Sequence, residues 1–410
     1  MRIFRTPLKN QNWSLLFLFL VCMIFMFAEI NNNRFWLSDF EVYYKAAERI
    51  FLGNNLYKIA EDGHYVFKYS PTSALYFLPF IIFPFSVAKI IYWVFLSLVV
   101  IAGFWLTARV ISPSLFSEES KLRLNLVIFS AIFTLALHFL RELHLGQINY
   151  ILLFLFILFI YFLGKKKVFL ASFILALSVF IKPFGLIFLP YFLVKNQIKS
   201  VFFSFGFIFL LALLPFLFFG SIETTFGQYQ LWIDELRIEL SNKQGFLKEA
   251  NHTIFSVFAR YTPLRYVLED KFFAALYQLF FLFSIGFFFL WFILRNKKKD
   301  QVKEEKQNLI FETSLLVSLI PLLAFTSENA FIFTQLVIFI VLIYFKVLKP
   351  WEKICAVAGF ILIGGNFSEL VGKEFSRILD ELSLISIGAI LLIYLVVVLR
   401  PRIASQNQAH

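Results

Sequence analysis

Residues 164–199, GKKKVFLASFILALSVFIKPFGLIFLPYFLVKNQIK, decide the fold. The apolar part, 168–194, carries a single charge, Lys182, and is long enough to cross a hydrocarbon core of about 30 Å once. Yet GKKK precedes it and KNQIK follows it, and basic connectors belong on the cytoplasmic side of a membrane. One crossing would put the two flanks on opposite sides. Two short helices meeting at Lys182-Pro183 keep them together, because proline breaks a helix and leaves carbonyls that need partners. The stretch therefore predicts a helical hairpin with Lys182 near the outer side.

The rest of the chain follows the same logic. At 60% hydrophobic residues the 410-residue chain is too apolar for a soluble domain. Its 59 phenylalanines lie in continuous runs without dyad alternation, which favours helices over a transmembrane barrel. The net charge of +12 resides in short connectors, so it reports topology and argues for no nucleic-acid partner. Cys22 and Cys355 both sit in apolar runs and imply neither a disulfide nor a metal. Arg2, Arg5 and Lys9 precede a first span near 13–30 that lacks a cleavage site, which puts the N-terminus in the cytoplasm. A half-length apolar segment, Pro71 to Pro84, reads as tilted or re-entrant. Further spans are expected near 88–110, 124–140, 149–163, 201–219, 272–294, 308–325, 329–347, 352–370 and 384–400. With the hairpin the count is about twelve. GKKK, KNQIK, RNKKK, KPWEK and RPR then fall inside, and RELHLGQIN, Lys182, Asn251-His252 and Ser327-Glu328 outside. The expected fold is an all-α polytopic integral membrane protein, one domain over 1–403 with outer loops at about 31–87 and 220–270, before a disordered tail at 404–410.

The candidate site residues lie on the expected outer side. In LSDFEVYYKAAERIFLGNNLYKIAEDGHYVFKYS, residues 37–70, an amphipathic helix is predicted over 39–51, stopped by Gly53-Asn54-Asn55. Asp39 begins it, a few residues beyond the first span, where a carboxylate must be solvated, paired or used. Arg141, Glu142, His144, Gln147 and Asn149 cluster at another span end; ion-pair neutralisation with helix capping explains them, or contact with a phosphate or sugar. Lys182 is either a snorkelling lysine or a point charge for a phosphate. Asn251, His252 and Arg260 in the second loop are either surface polarity or substrate contacts, and Asn251-His252-Thr253 is also a formal glycosylation acceptor. The chain has no Gly-rich phosphate loop, HExxH, GxSxG or DxD signature, and its histidines at 64, 138, 144, 252 and 410 lack metal-ligand spacing. Any substrate would therefore come from the membrane as a lipid-linked molecule, with no metal expected.

In order, SDFEVYYKAAERIFLGNNLY, FKYSPTSALYFLPFIIFPF, LGQINYILLFLF, FLASFILALSVFIKPFGLIFLPYFL and NHTIFSVFAR resemble the membrane glycosyltransferases of the GT-C fold, most closely the polyprenol-phosphate-mannose-dependent family 87. The resemblance implies a cofactor-independent inverting transfer on the face away from the cytoplasm, from a polyprenyl-phosphate-sugar to a lipid or glycan acceptor. It implies that the acid early in the first outer loop, Asp39, is the general base. Arg141, His144, Lys182 and Arg260 are then candidates for the donor phosphate, and Tyr43, Tyr57, Tyr69, Gln147, Asn149, Asn251 and His252 for substrate contact. At Thr326-Ser327-Glu328-Asn329, where many relatives carry a Ser-Pro stretch with histidine, the chain departs from the pattern. A transporter or flippase of a lipid-linked sugar is the alternative; it would call for charges at mid-membrane depth and inverted repeats.

Overall fold

The computed structural model describes residues 12–406 apart from 64, 118–119, 243–250, 267, 269, 296–301, 325–327 and 368–370. Arg2, Arg5, Lys9, Thr326, Ser327 and most of RNKKK lie outside the described residues. Every regular element within them is helical. The helices are α1 (Trp13–Asn31), α2 (Ser38–Phe51), α3 (Phe85–Ile111), α4 (Lys121–Leu145), α5 (Asn149–Gly164), α6 (Val168–Ile181), α7 (Phe188–Val194) and α8 (Ile198–Leu213). They continue with α9 (Ile222–Asn242), α10 (Ile254–Tyr261), α11 (Lys271–Leu294), α12 (Val302–Leu323), α13 (Gln335–Ile343), α14 (Pro350–Gly364), α15 (Lys373–Glu381) and α16 (Leu384–Gln406). Single helical turns and 3₁₀ segments fill several of the intervals.

Six stretches among the described residues are long and apolar enough to cross a membrane: Trp13–Asn31, Phe85–Ile111, Lys121–Leu145, Ile198–Phe219, Phe272–Leu294 and Leu384–Ile403. The shorter apolar helices α5, α6, Pro183–Val194 and Glu328–Ile343 pack among them. The expected boundaries shift at three places. α4 runs on through the whole Arg141–Leu145 cluster, which is thus helical. The second long loop contains α9 and α10, because its polar residues sit at helical spacing around Leu231, Trp232, Phe255 and Ala259. The expected tail begins inside α16, which continues to Gln406; residues 407–410 lie outside the described ones.

The hairpin appears as the sequence demands. α6 ends at Ile181, Lys182 is extended, and Pro183 starts a 3₁₀ turn that leads into α7. Both flanks return to α12: Lys165 shares a cavity with Lys306, and Lys195 pairs with Glu312 at 2.9 Å. Arg109 lines that same cavity, and Arg400 and Arg402 pair with Glu312 and Glu352 at 2.6 Å each. The basic connectors thus meet at one end of the bundle. α14 and α16 cross closely because a side chain at Gly388 would come within 3.0 Å of the Gly359 carbonyl, the small-residue contact typical of membrane helices. α11 has almost none of its apolar surface buried in the protein, and Phe280, Phe283 and Phe287 stand exposed along it. Such a helix is stable only against lipid or another apolar partner.

Glu312 is fully buried and held by Arg400, Lys195 and the Tyr191 hydroxyl. Arg400→Leu is expected to cost about 3 kcal/mol, since it strands part of a buried carboxylate. Thermal unfolding in detergent measures this, and adding Glu312→Leu should recover much of the loss. An unchanged midpoint for the single variant would mean that Lys195 and Tyr191 suffice.

Candidate active site

The end of α4 builds the site. Gly146 stops the helix with φ +68°, and Gln147 N donates to the Glu142 carbonyl at 2.9 Å while Gly146 N donates to Leu143 at 3.2 Å. The chain therefore turns back, and Gln147 and Asn149 come to lie beside Glu142. A side chain at Gly146 would come within 2.8 Å of Phe40 Cβ, so glycine also admits α2 against this turn. Phe40 continues into a stack with Tyr92, ring centroids 4.0 Å apart. Leu37, buried ahead of α2, holds the left-handed conformation at φ +49°, a conformation usually left to glycine. Two residues later comes Asp39.

Asp39 is partly buried. Burial raises its pKa, and the charges of Lys182 and Lys68, with a hydrogen bond from Gln147, oppose the rise without cancelling it. Lys182 Nζ donates to Asn149 Oδ1 at 2.6 Å and stands 5.9 Å from the centres of the Tyr69 and Phe184 rings. The Tyr43 and Tyr69 hydroxyls are 3.1 Å apart, and Tyr57 donates to the Tyr69 carbonyl at 2.6 Å. Burial first, then Tyr69 and Asp39, push the Tyr43 phenol far above its ordinary value, so it stays neutral. Asp39, Tyr43, Tyr57, Tyr69, Gln147, Asn149 and Lys182 are thus one assembly. Lys68 belongs to it as well; between Phe67 and Tyr69 it reads in the sequence as an ordinary loop charge.

Glu142 is the joint behind this assembly. Fully buried, it accepts from Asn149 Nδ2 at 2.9 Å, from Tyr150 N at 3.1 Å and from Asn329 Nδ2. Through Asn329 it ties Lys182 to a second group. There Arg141 Nη1 lies 3.6 Å from Glu328 Oε2, and His252 Nε2 lies 3.7 Å from Glu328 Oε1. Asp380 joins them, with Asn366 Nδ2 donating to its Oδ1 at 2.5 Å. Its pKa is pushed up to about 6 by burial and by the Glu328 carboxylate. Arg260 reaches Ser383 and the Asp380 carbonyl.

The four cationic candidates therefore divide. Lys182 is with Asp39; Arg141 and Arg260 are in the second group; His144 meets Glu29, which also pairs with Arg34 at 3.2 Å. Asn251 is buried in a turn, its Oδ1 accepting from Thr253 N at 3.1 Å and Thr253 Oγ1 at 2.7 Å. That burial leaves no room there for a glycan. Sequence reading missed the roles of Glu142, Asn329, Glu328 and Asp380, although EN at 328–329 and the DE pair at 380–381 carry the signal.

The arrangement offers a desolvated carboxylate beside an ammonium, with hydroxyls and amides around them. It can accept a proton and hold an anion in the same place. No curated protein matches the chain. The sequence profile of glycosyltransferase family 87 matches residues 67–318, from just before Lys68 to the last third of α12, and begins after Asp39. Since that match spans more than half of the 410 residues, the chain belongs to glycosyltransferase family 87.

Proposed function

We propose that this glycosyltransferase is a GT-C-type inverting enzyme. It moves a hexose, mannose by the family resemblance, from a polyprenyl-phosphate-sugar to a lipid or glycan acceptor. The observation that carries the reading is Asp39 held beside Lys182 at the turn after α4. In this reading Asp39 takes the proton of the acceptor hydroxyl, whose oxygen attacks the anomeric carbon from the face opposite the phosphate. The bond from that carbon to the phosphate oxygen breaks, and the phosphate leaves with the electron pair. Lys182 and Arg141 receive its charge, so no acid has to protonate it. The aromatic ring of Tyr69 and the amides of Gln147 and Asn149 suit a sugar face and its hydroxyls.

The orientation follows from charge. Grouping of the basic connectors at one end of the bundle supports that end, with both termini, being cytoplasmic, and the site being on the outer face of the cytoplasmic membrane. About twelve passages satisfy it if α5, the two halves of the hairpin and Glu328–Ile343 each cross in part. The test is sugar transfer by the purified protein from a panel of radiolabelled polyprenyl-phosphate sugars into a mixed lipid acceptor extract. Transfer with inverted anomeric configuration is the expected result. If no sugar is transferred but labelled lipid crosses vesicles containing the protein, a flippase replaces the enzyme.

A further inference from the structure

We propose that His252, Glu328 and Asp380 bind one divalent cation, with Mn²⁺ and Zn²⁺ the ions that suit the donor set. Their ligand atoms all lie within 4.8 Å of one another, although they come from the turn before α10, the 3₁₀ segment after α12 and the last turn of α15. His252 supplies the independent sign of a ligand. Its side chain is 1% exposed, yet neither ring nitrogen has a hydrogen-bond partner, and the 3.7 Å to Glu328 is too long for one. Buried imidazole nitrogens are nearly always satisfied, so a pair left open beside two carboxylates calls for a missing partner.

The chemistry of the three groups selects the partner. Two partly buried carboxylates facing each other repel, and neutral imidazole adds a lone pair; a cation relieves the first and uses the second. One nitrogen with two oxygens suits a borderline divalent ion and suits Mg²⁺ or Ca²⁺ less, which prefer oxygen alone. At ordinary metal–ligand bond lengths, neighbouring donors stand roughly 3.3 Å apart, so small side-chain rotations close the set. Three protein ligands leave coordination positions open. Arg141 lies against Glu328 Oε2, and His252 against Oε1. That the open positions would take oxygens of the donor phosphate rests on the transferase reading; the cation site itself does not.

The experiment is a titration of metal-stripped, detergent-purified full-length protein with MnCl₂, with free Mn²⁺ counted from its electron paramagnetic resonance signal. Wild type should bind one Mn²⁺ per chain, displaceable by Zn²⁺. Losses of metal affinity of 10- to 100-fold accompany removal of a mere supporting residue, so removing a ligand should cost at least about tenfold. His252→Ala and the nearly isosteric Asp380→Asn should both show it, the second guarding against a folding defect, with an unchanged gel-filtration profile required of each. Asp39→Asn should bind as wild type. Absence of stoichiometric Mn²⁺ or Zn²⁺ binding by wild type overturns the site and leaves a proton-sharing acid pair in its place, as does undiminished binding by both ligand variants. Because binding is read without turnover, a protein that binds Mn²⁺ but transfers no sugar sinks the transferase reading alone. One that transfers sugar without binding metal sinks only this proposal.

Discussion

Asp39→Asn is expected to lower sugar transfer about 10²- to 10⁴-fold, the usual size of a general-base effect, while donor affinity changes little. Asparagine keeps the volume at the start of α2 and can still hydrogen-bond Gln147, so the stack of Phe40 on Tyr92 and the turn at Gly146 are undisturbed. What disappears is the capacity to take a proton. The fall should therefore appear in kcat, and a filter-binding measurement of labelled polyprenyl-phosphate-sugar should give about the wild-type Kd. A variant that transfers at the wild-type rate removes Asp39 from the mechanism. Loss of donor binding together with rate would move its role from base to binding.

Lys182→Met should lower kcat/KM roughly 10²-fold, the cost of removing one preorganised charge from a developing anion. It should also shift the pH profile. Burial raises the Asp39 pKa and Lys182 is the largest influence opposing that rise. A cation favours the charged carboxylate, so its removal raises the pKa further. Since the base must be ionised to act, the acid limb of kcat/KM then moves to higher pH. Lys182→Arg keeps the charge and should keep the limb near its wild-type position. If Lys182→Met loses activity with the limb unmoved, the lysine does not tune Asp39 and acts on the leaving phosphate or through Asn149, which it holds at 2.6 Å.

How far the site could be read in advance depended on where its charges sit along the chain. Asp39 and Lys182 stand out in the sequence as candidates because each is an ionisable residue at the end of an apolar run, and so has few ordinary explanations; the structure brings the two together. The break at Lys182-Pro183 was legible because charge on both flanks forces an even number of passages. The grouping of His252 with Glu328 and Asp380 was not, although His252 by itself is a candidate in the sequence. Each stands alone among residues that suit a loop, and only the folding of three separate segments against one another brings them together. His144 shows the opposite failure: proximity in sequence to Arg141 suggested a common task, but the two side chains meet different neighbours, Glu328 for Arg141 and Glu29 for His144. α15 escaped notice because a short, strongly charged helix has no apolar run to announce it.

The hairpin also constrains how the protein is made. α6 has 14 residues, about 21 Å of helix at 1.5 Å per residue, which is short of the hydrocarbon thickness. Neither half can halt in the bilayer by itself. The pair has to enter together once α7 has been synthesised, and in the proposed orientation it carries Lys182 across with it as the leading charge. In the proposed mechanism the same ammonium serves the reaction, and it is thus also a burden on biogenesis, of the order of 2.5–3.5 kcal/mol for a lysine at membrane depth, borne by the phenylalanine-rich halves on either side. A second basic residue at Phe184 would add to that burden, and the finished chain would be lost through failed insertion before any question of catalysis arose.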